Sequence, residues 1–382
     1  MENIYELSLE KHKEAQGKLN VCSSVPLESR DDMRVYYTPG VAQPCLEIQK
    51  DPEKAYDYTI KGHTVAVITD GSAVLGLGNI GALAGLPVME GKCGLFKKFA
   101  GVDAFPICVD SKDPDEFIRI VESISGQFGG INLEDIAAPN CFYIENELKK
   151  RLKIPVFHDD QHGTAIVVLA GLINSLKLTG KSPSENKVVI SGTGAAGSAI
   201  ARLLVMYGFS NVNMIDSKGL IYEGREDLDQ NKIELSKITN PKKKSGSLSD
   251  ALVGADIFIG VSKPKLVTAE MISSMAEKPI IFALANPEPE ILPDEAKKAG
   301  AFIVASGRSD FPNQVNNVLA FPGIFKGALK YRIPQITDEM KLNAAKSLAS
   351  MVKEVSPENI IPDPFTPGVA DTIADSIKIR DL

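Results

Sequence analysis

Hydrophobic and polar positions in the first half of the chain predict a mixed set of short strands and helices. Apolar runs at residues 64–69 and 104–109 are each followed directly by an aspartate, which is typical of buried strands. Residues 154–157 predict another strand. Residues 113–124 predict a helix that opens with Asp-Pro-Asp and ends before a glycine-rich turn. We therefore expect an α/β unit here.

The second half has the rhythm of a doubly wound sheet. Residues 163–178 are apolar on nearly every face and predict a buried helix that leads from the first unit to the second. Strands and helices then alternate, which indicates βαβ units, a parallel sheet and a Rossmann-type domain. We predict an α/β fold with two domains, over residues 1–161 and 162–382. The alternating segments are 187–192, 195–209, 211–216, 247–260, 279–286 and 301–306, and helices return at 338–354.

The composition excludes several classes of protein. The 382 residues are 44% hydrophobic and 24% charged, as in ordinary globular proteins, and the net charge of −7 leaves no basic excess for binding nucleic acid. Five scattered cysteines without a CxxC pair argue against a disulfide framework and a thiolate zinc site. No signal-peptide core and no apolar run of bilayer length are present. We therefore expect a cytoplasmic protein without a membrane partner.

A glycine signature in the second half predicts a dinucleotide site. The motif GTGAAG directly follows a strand and opens a helix, and Asp216 closes the next strand at about the expected spacing of ~20 residues. Glycines let backbone N–H groups approach a pyrophosphate, and the helix N-terminus favours its negative charge. The predicted cofactor-binding residues are Gly192, Gly194, Ala195, Ala196, Gly197 and Asp216.

The choice of coenzyme stays open at this point. The carboxylate of Asp216 is expected to accept hydrogen bonds from a ribose diol and to repel a 2′-phosphate, which favours NAD. Lys218 lies two positions further on and can offset that repulsion, so NADP is an alternative.

A second glycine motif, GLGNIG at residues 76–81, lacks the same context. It does not directly follow the strand at 64–69, and the sequence after it is expected to break within a turn at Gly85 and Pro87. We interpret it as a loop that lets the backbone pass close to a ligand or to another segment. It is not the predicted pyrophosphate site.

Two pairs of carboxylates predict a metal site. Glu134 and Asp135 form one pair, and Asp159 and Asp160 form the other. Mg²⁺ and Mn²⁺ prefer such oxygen ligands. Each pair alone also fits a role at a helix N-terminus. Both pairs precede apolar segments, however, where a cluster of charges is costly without a cation.

A zinc site is the alternative for the second pair. His158 and His162 flank the two aspartates, so the segment superficially resembles the zinc-binding H-E-x-x-H motif of metalloproteases. His12 and His63 are the remaining histidines, and neither has a supporting context. Peptide hydrolysis also gives no reason for a dinucleotide fold.

Lys92 and Tyr37 are candidates for acid–base chemistry. Lys92 follows a glycine and precedes an apolar run, and a lysine in an apolar pocket has a lowered pKa that suits a base. Tyr37 lies just before a Thr-Pro-Gly turn. From these residues alone, a surface lysine and a core tyrosine remain the simpler interpretations.

Taken together, these segments resemble the malic enzymes of the short bacterial type. The resemblance extends over nearly the whole chain. The matching stretches are YTPGVA (37–42), TDGSAVLGLGNIGALAGLPVMEGK (69–92), NLEDI (132–136), FHDDQHGTA (157–165), SGTGAAG (191–197), ANPEPE (285–290) and NQVNNVLAFPG (313–323).

The resemblance implies a metal-assisted oxidation and decarboxylation of L-malate to pyruvate and carbon dioxide, with reduction of NAD or NADP. It implies Tyr37 as the general acid and Lys92 as the general base. It also implies Mg²⁺ or Mn²⁺ held by Glu134, Asp135 and Asp160. An N-terminal α/β domain like that of amino-acid dehydrogenases and a homodimer are implied as well.

The resemblance further assigns residues around the substrate. Asp159 is expected behind the metal ligands, where it influences Lys92. Asn286 and Asn317 resemble the asparagines that bind malate carboxylates and the nicotinamide side of the coenzyme, and Asn316 is a further candidate. Longer relatives carry a carboxylate-binding arginine where this sequence has residues 72–74, so another group must serve here. Backbone N–H groups of the GLGNIG loop are our candidate.

Two other functions stay open. One is a dehydrogenase on the same scaffold that oxidises malate without decarboxylation, or that acts on an amino acid. The other is a catalytically silent NAD-binding sensor or scaffold, against which the presence of acid, base and metal candidates argues.

Overall fold

The structure is a computed structural model that describes residues 3–74 and 76–378. Its strands are β1 (Thr64–Thr69), β2 (Asp103–Cys108), β3 (Gly130–Leu133), β4 (Val156–His158), β5 (Lys187–Ser191), β6 (Asn211–Asp216), β7 (Gly219–Leu220), β8 (Ile257–Gly260), β9 (Ile280–Ala283) and β10 (Ile303–Ser306).

The α-helices are α1 (Ile4–Ala15), α2 (Arg30–Tyr36), α3 (Ala42–Lys50), α4 (Ala55–Tyr58), α5 (Ala82–Ala100), α6 (Pro114–Ile124), α7 (Asn140–Arg151), α8 (Asp159–Thr179), α9 (Ala195–Tyr207), α10 (Gln230–Ile238), α11 (Leu248–Leu252), α12 (Ala269–Ser273), α13 (Pro293–Lys298), α14 (Phe321–Lys330), α15 (Asp338–Ser350) and α16 (Val369–Ser376).

The strands form two sheets. The first is parallel throughout, in the order β2-β1-β3-β4. The second has the order β10-β9-β8-β5-β6-β7 and is parallel except for β7. Its strand order reverses at β5, as in doubly wound dinucleotide-binding sheets, where ligands bind beyond the carboxyl ends of the strands at the reversal. The predicted α/β class and Rossmann-type sheet are confirmed.

Helix α8 connects the two sheets. It begins at Asp159, directly after β4, and ends at Thr179. The next residue, Gly180, has a φ of 73°, which fits the left-handed position at which glycine commonly ends helices. Length and apolar composition would allow α8 to cross a membrane, but 67% of its most apolar window is buried inside the protein. That burial is typical of a core helix, as the apolar pattern on all its faces predicts.

The C-terminal helices return to the first sheet. The ring of Phe96 in α5 lies 4.7 Å from that of Phe321 and 5.4 Å from that of Phe325, both in α14. Phe157 in β4 contacts Phe325 edge to face. Such pairs each contribute about 0.5–1.5 kcal/mol beyond the burial of their area. The segment just before α14 is thereby held against the end of the first sheet.

The expected break at Gly85 and Pro87 is wrong, because α5 runs unbroken through both residues. Proline inside a helix removes one hydrogen bond and crowds the preceding turn. Against that cost, α5 buries Met89, Cys93 and Phe96 beneath the first sheet. Tertiary packing thus overrides local propensity here.

The N-terminal helices lie on the outside of the protein. Helices α1 to α4 contain no buried residue. Large apolar side chains in this segment are exposed instead, among them Ile4, Leu9, Val21, Leu27, Met33 and Val35.

Candidate active site

Three carboxylates meet at the carboxyl ends of neighbouring strands. Glu134 and Asp135 follow β3, and Asp160 lies in the first turn of α8, just after β4. One ligand oxygen from each lies within 4.8 Å of the other two. The backbone N–H of Asp135 also donates to Oδ2 of Asp160 over 2.8 Å. The structure therefore brings together the three metal ligands that the resemblance implies.

The backbone of Asp135 has an uncommon conformation. Its φ of 53° lies in the left-handed region, which aspartate tolerates better than most residues other than glycine. The loop after β1 supports it, since the backbone N–H of Ala73 donates to the carbonyl of Asp135 over 2.9 Å. The hydroxyl of Ser72 accepts from the N–H of Ala137 over 2.8 Å. Conformations of this kind occur at functional sites where the surroundings hold them.

The donor set fits a hard divalent cation. Glu134 and Asp135 are buried, and the side chain of Asp160 is 32% exposed, which leaves one open side. Burial raises the pKa of both Glu134 and Asp160 above their usual values. A bound cation would relieve this penalty on ionised carboxylates. Oxygen ligands with room for substrate or water match Mg²⁺ or Mn²⁺.

Lys92 is buried against this cluster. Its Nζ donates to Oε1 of Glu134 over 2.7 Å and to Oδ2 of Asp159, and it lies 4.1 Å from the centre of the Phe321 ring. Burial lowers the pKa of Lys92, but the charges of Asp159, Glu134 and Asp160 outweigh burial and raise the pKa above its ordinary value. The shift is opposite to the one expected from an apolar pocket. Of the expected apolar surroundings, the ring of Phe321 contacts Nζ. Lys92 is buried, so the interpretation as a surface lysine is wrong.

Asp159 lies at the bottom of the site. It is fully buried, and its Oδ2 accepts hydrogen bonds from Lys92 and from Nδ2 of Asn317, the latter over 2.5 Å. Its Oδ1 packs against Gly163, where an added Cβ would lie 1.8 Å from that oxygen. Burial raises the pKa of Asp159 well above its usual value. The position of this carboxylate therefore requires a glycine one turn along α8.

The two histidines do not form a zinc site. Nε2 of His162 lies 2.8 Å from Oε1 of Glu145, a buried residue of α7, and the backbone N–H of His158 donates to the same oxygen over 3.1 Å. Within residues 3–74 and 76–378, the one cluster of potential metal ligands is the carboxylate trio, which includes no histidine. The histidines instead join α7 to the start of α8.

Tyr37 is not joined to the cluster in the structure. It follows α2, the residue is 65% exposed, and its backbone hydrogen bonds are to Met33 and Val41. Among the described residues, no hydrogen bond links its hydroxyl to the carboxylates. The expectation of a core tyrosine is wrong.

The asparagines occupy different positions. Asn317 joins the cluster through Asp159, whereas Asn316 caps the turn that follows it by accepting from the N–H of Val318 over 3.0 Å. Asn286 is exposed at the turn after β9. A Cβ on Gly76 would lie 2.5 Å from the carbonyl oxygen of Asn286, so the GLGNIG loop passes close to this turn.

A cavity of about 780 Å³ lies at the carboxyl ends of β5, β6 and β8. Gly192 has a φ of 120°, and a Cβ on Gly197 would lie 2.1 Å from the carbonyl oxygen of Gly192, so the turn needs both glycines. Nothing lies within 4 Å of a Cβ on Gly194, which leaves space in front of the N-terminus of α9. An open space before a helix N-terminus suits the negative charge of a pyrophosphate. The cavity is lined by residues 191–193, 215–219, 246–248 and 262–263, with Lys232 and Leu266.

Sequence reasoning missed several residues that position these groups. Glu290 is fully buried and accepts from the N–H groups of Ser262 and Ala285, over 3.0 and 3.1 Å, which ties together the loops after β8 and β9. Nδ2 of Asn132 donates to Oε2 of Glu134 over 2.9 Å. Glu290 and Asn132 both lie in stretches that carry the family resemblance. Only the structure shows which groups they contact.

Models of known families match both parts of the chain. The model described as "Malic enzyme, N-terminal domain" matches residues 16–149. The model described as "Malic enzyme, NAD binding domain" matches residues 161–378. The first match contains Lys92, Glu134 and Asp135, the second contains the residues that line the dinucleotide cavity, and Asp160 lies directly before the second match.

Individual relatives agree with these models. The chain is 57% identical over 378 residues to the bifunctional malic/malolactic enzyme of Bacillus subtilis strain 168, covering 98% of this chain and 92% of that protein. It is 51% identical to the NADP-dependent malic enzyme of Escherichia coli K12, covering 94% of this chain and 50% of that longer protein. An NAD-dependent malic enzyme structure from Thermotoga maritima has a TM-score of 0.95 at 50% identity, covering 97% and 99% of the two chains. The chain belongs to the malic enzyme family.

Proposed function

We propose that the protein catalyses the oxidative decarboxylation of L-malate to pyruvate and carbon dioxide, with reduction of NAD or NADP and with Mg²⁺ or Mn²⁺. One observation carries the proposal: the carboxylate trio and the buried Lys92 lie together at the carboxyl ends of β3 and β4. Ala195, in the dinucleotide-binding turn, packs against the apolar cluster beneath the same strands. A dehydrogenase that does not decarboxylate has no evident use for three converging carboxylates.

Glu134, Asp135 and Asp160 would hold the cation. When bound, such an ion supplies Lewis-acid chemistry that polarises the hydroxyl and carbonyl oxygens of the substrate. The burial of Glu134 and Asp135 keeps competing water away, and the partly exposed Asp160 faces the open side. The same arrangement serves oxidation and decarboxylation, because both steps place negative charge on the C2 oxygen of malate.

Lys92 is the proposed general base. It would accept the proton of the C2 hydroxyl during oxidation of malate to oxaloacetate, for which a bound nicotinamide coenzyme would supply the hydride acceptor. Asp159 and Glu134 hold its Nζ in place from two sides. The negative charges of Asp159 and Glu134 raise the pKa of Lys92. Once the charge of the cluster is compensated, burial favours the neutral amine that a base requires.

Tyr37 is the proposed general acid. Loss of carbon dioxide from oxaloacetate leaves an enolate, and the phenol donates a proton to C3 of that enolate to give pyruvate. Asn286 and Asn317 are proposed to bind substrate carboxylates and the nicotinamide side of the coenzyme. The backbone of the GLGNIG loop, which passes close to Asn286, is proposed to take the place of the arginine that is missing at residues 72–74.

A homodimer would explain the exposed apolar side chains on the N-terminal helices. Helices α1 to α4 contain no fully buried residue within the protomer, yet they carry exposed apolar side chains. Exposed apolar patches of this kind mark contact surfaces, and a twofold dimer is the commonest way to cover one. The exposed Tyr37 lies on this surface. We place the dimer in the cytoplasm, with malate as its small-molecule partner.

Product analysis tests the function. The purified protein is incubated with L-malate and either NAD or NADP, with Mn²⁺ or with a chelator, and pyruvate, carbon dioxide and reduced coenzyme are quantified. Equal amounts of all three, dependent on Mn²⁺, are expected. Accumulation of oxaloacetate without carbon dioxide would instead indicate a malate dehydrogenase. Oxidation of an amino acid alone would indicate the other alternative, and coenzyme binding without turnover of any hydroxy acid would indicate a silent binding protein.

A further inference from the structure

We infer that the protein has a second small-molecule site, separate from the candidate active site and from the coenzyme cavity, which binds a small aliphatic monocarboxylate. The site is a cavity of about 560 Å³ lined by residues of α7, α8, α9, α10 and α15, among them the buried Lys341. Among the described residues, none lines both this cavity and the dinucleotide cavity. The carboxylate trio is not part of its lining either.

Lys341 is a buried cation with unused hydrogen-bond donors. It projects from α15, and its side chain is 7% exposed. Its ammonium has three N–H donors, but within residues 3–74 and 76–378 it makes one hydrogen bond, of 2.9 Å, to Oδ1 of Asp338. Burial of a charged group is costly when its donors are not satisfied. The other two donors therefore require a partner in the cavity.

Two further cations line the same cavity. Arg202 in α9 donates through Nη2 to Asn231 and Glu234, over 3.2 and 3.0 Å. Its Nε and Nη1 make no hydrogen bond to any of the described residues. The third cation is Lys149 in α7. Burial and the charge of Lys149 lower the pKa of Lys341, and a bound anion would offset both effects.

The carboxylates that line the cavity are already engaged. Glu145 accepts from the backbone N–H of His158 and from Nε2 of Gln161, over 3.1 and 3.2 Å, and it also contacts His162 and Lys149. The other two carboxylates each pair with one of the cations. Three cations thus balance three carboxylates. A phosphate would add nearly two negative charges to this lining, whereas a monocarboxylate adds one. The charge balance therefore favours the monocarboxylate.

An apolar recess of about 70 Å³ adjoins these cations. It shares Arg202 and Lys341 with the larger cavity. A carboxylate held by these two cations can direct a short aliphatic chain into the recess, where each buried methylene group increases the affinity about fourfold. The apolar walls of the recess are Phe142, Ala165, Ala199, Leu203 and Met206.

Binding of butyrate and acetate tests this inference. The full-length protein, with Mg²⁺ and reduced coenzyme present to occupy the proposed catalytic sites, is titrated with each ion and followed by saturation-transfer NMR. Butyrate is expected to bind about tenfold more tightly than acetate, because it buries two more methylene groups. Lys341→Met is expected to weaken butyrate binding about tenfold or more, because a charge-assisted contact is lost. Tighter binding of inorganic phosphate than of butyrate would contradict the assigned ligand class.

Two further variants complete the test. Arg202→Met is expected to weaken butyrate binding several-fold, and its side chain is 42% exposed, so this result does not depend on a buried substitution. Lys346→Met, an exposed change on the same helix as Lys341, is expected to leave butyrate binding unaltered. Equal affinities for acetate and butyrate, or butyrate binding that neither Lys341→Met nor Arg202→Met weakens, would overturn the inference. None of these measurements involves turnover of malate, so they are independent of the proposed function.

Discussion

Nδ2 of Asn317 donates a hydrogen bond of 2.5 Å to Oδ2 of Asp159, the same oxygen that accepts from Nζ of Lys92. Asp159 begins α8 beside the first sheet, and Asn317 begins the turn that leads into α14. The position of Lys92 therefore depends on a contact between two segments that are far apart in sequence. Packing of α14 on the first sheet keeps that contact in place.

Gly163→Ala is expected to reduce malate turnover about tenfold or more, because its Cβ would lie 1.8 Å from Oδ1 of Asp159 and displace the carboxylate that positions Lys92. Steady-state kinetics measures the loss. Gly94→Ala in α5 is the control, since nothing lies within 4 Å of its Cβ and alanine stabilises helices by up to ~1 kcal/mol relative to glycine. Equal malate turnover by Gly163→Ala and Gly94→Ala would show that the carboxylate of Asp159 does not need the space beside Gly163.

Lys92→Arg is expected to reduce malate oxidation by about 10²–10⁴-fold, because arginine keeps the positive charge beside Glu134 and Asp159 but cannot accept a proton at neutral pH. Reduced coenzyme is followed in stopped-flow and steady-state assays. Lys97→Arg, on the exposed side of the same helix, is the matched control. Normal malate oxidation by Lys92→Arg would remove the lysine from the role of base.

Tyr37→Phe is expected to retain a first burst of coenzyme reduction and to lose about 10²-fold in steady-state pyruvate formation, because the phenol acts after hydride transfer. Rapid-quench analysis of reduced coenzyme and pyruvate separates the two steps. Tyr36→Phe changes a neighbouring exposed tyrosine and should behave like the wild type. A slower burst of coenzyme reduction in Tyr37→Phe, with unchanged later formation of pyruvate, would contradict the proposal that Tyr37 acts after hydride transfer.

Stability is expected to fall between pH 7 and pH 5 because of His162. Burial lowers the pKa of His162 to about 4, whereas in the unfolded chain the imidazole takes up a proton near pH 6.5. Unfolding therefore takes up a proton in this window, and stability decreases as the pH falls. The wild type should lose about 2 kcal/mol more than His162→Gln between these two pH values, as measured by urea denaturation. If the free energy of unfolding of the wild type and of His162→Gln changed equally with pH, the lowered pKa of His162 would be refuted.

The sequence predicts the parallel strands of the second sheet well, because local apolar patterns specify them. It does not predict β7 and α10, which lie in a polar segment without such a pattern. The segment around Pro87 shows where local patterns fail, since packing of Met89 and Phe96 holds a helix that glycine and proline disfavour. Strand β3 is only four residues long and is followed directly by the carboxylate pair, so no periodicity identifies it.

Candidate site residues follow from the sequence more readily than their surroundings do. Motifs identify Lys92, but its ion pairs with Glu134 and Asp159 join distant segments, and these contacts reverse the direction of its expected pKa shift. Arg225 and Lys232 approach Asp216 from outside the glycine signature, so the motif alone suggests a free carboxylate. The exposure of Tyr37 likewise has no signal in its own segment.

The central claim is that Glu134, Asp135 and Asp160 hold one divalent cation beside Lys92. Titration of Mn²⁺ into the chelator-treated protein, followed by electron paramagnetic resonance, tests it most directly. We expect one tight site per chain in the wild type and a steep loss of affinity in Asp160→Asn, with no change in Asp310→Asn, an exposed aspartate on a surface loop. Unaltered Mn²⁺ binding by Asp160→Asn would contradict the account.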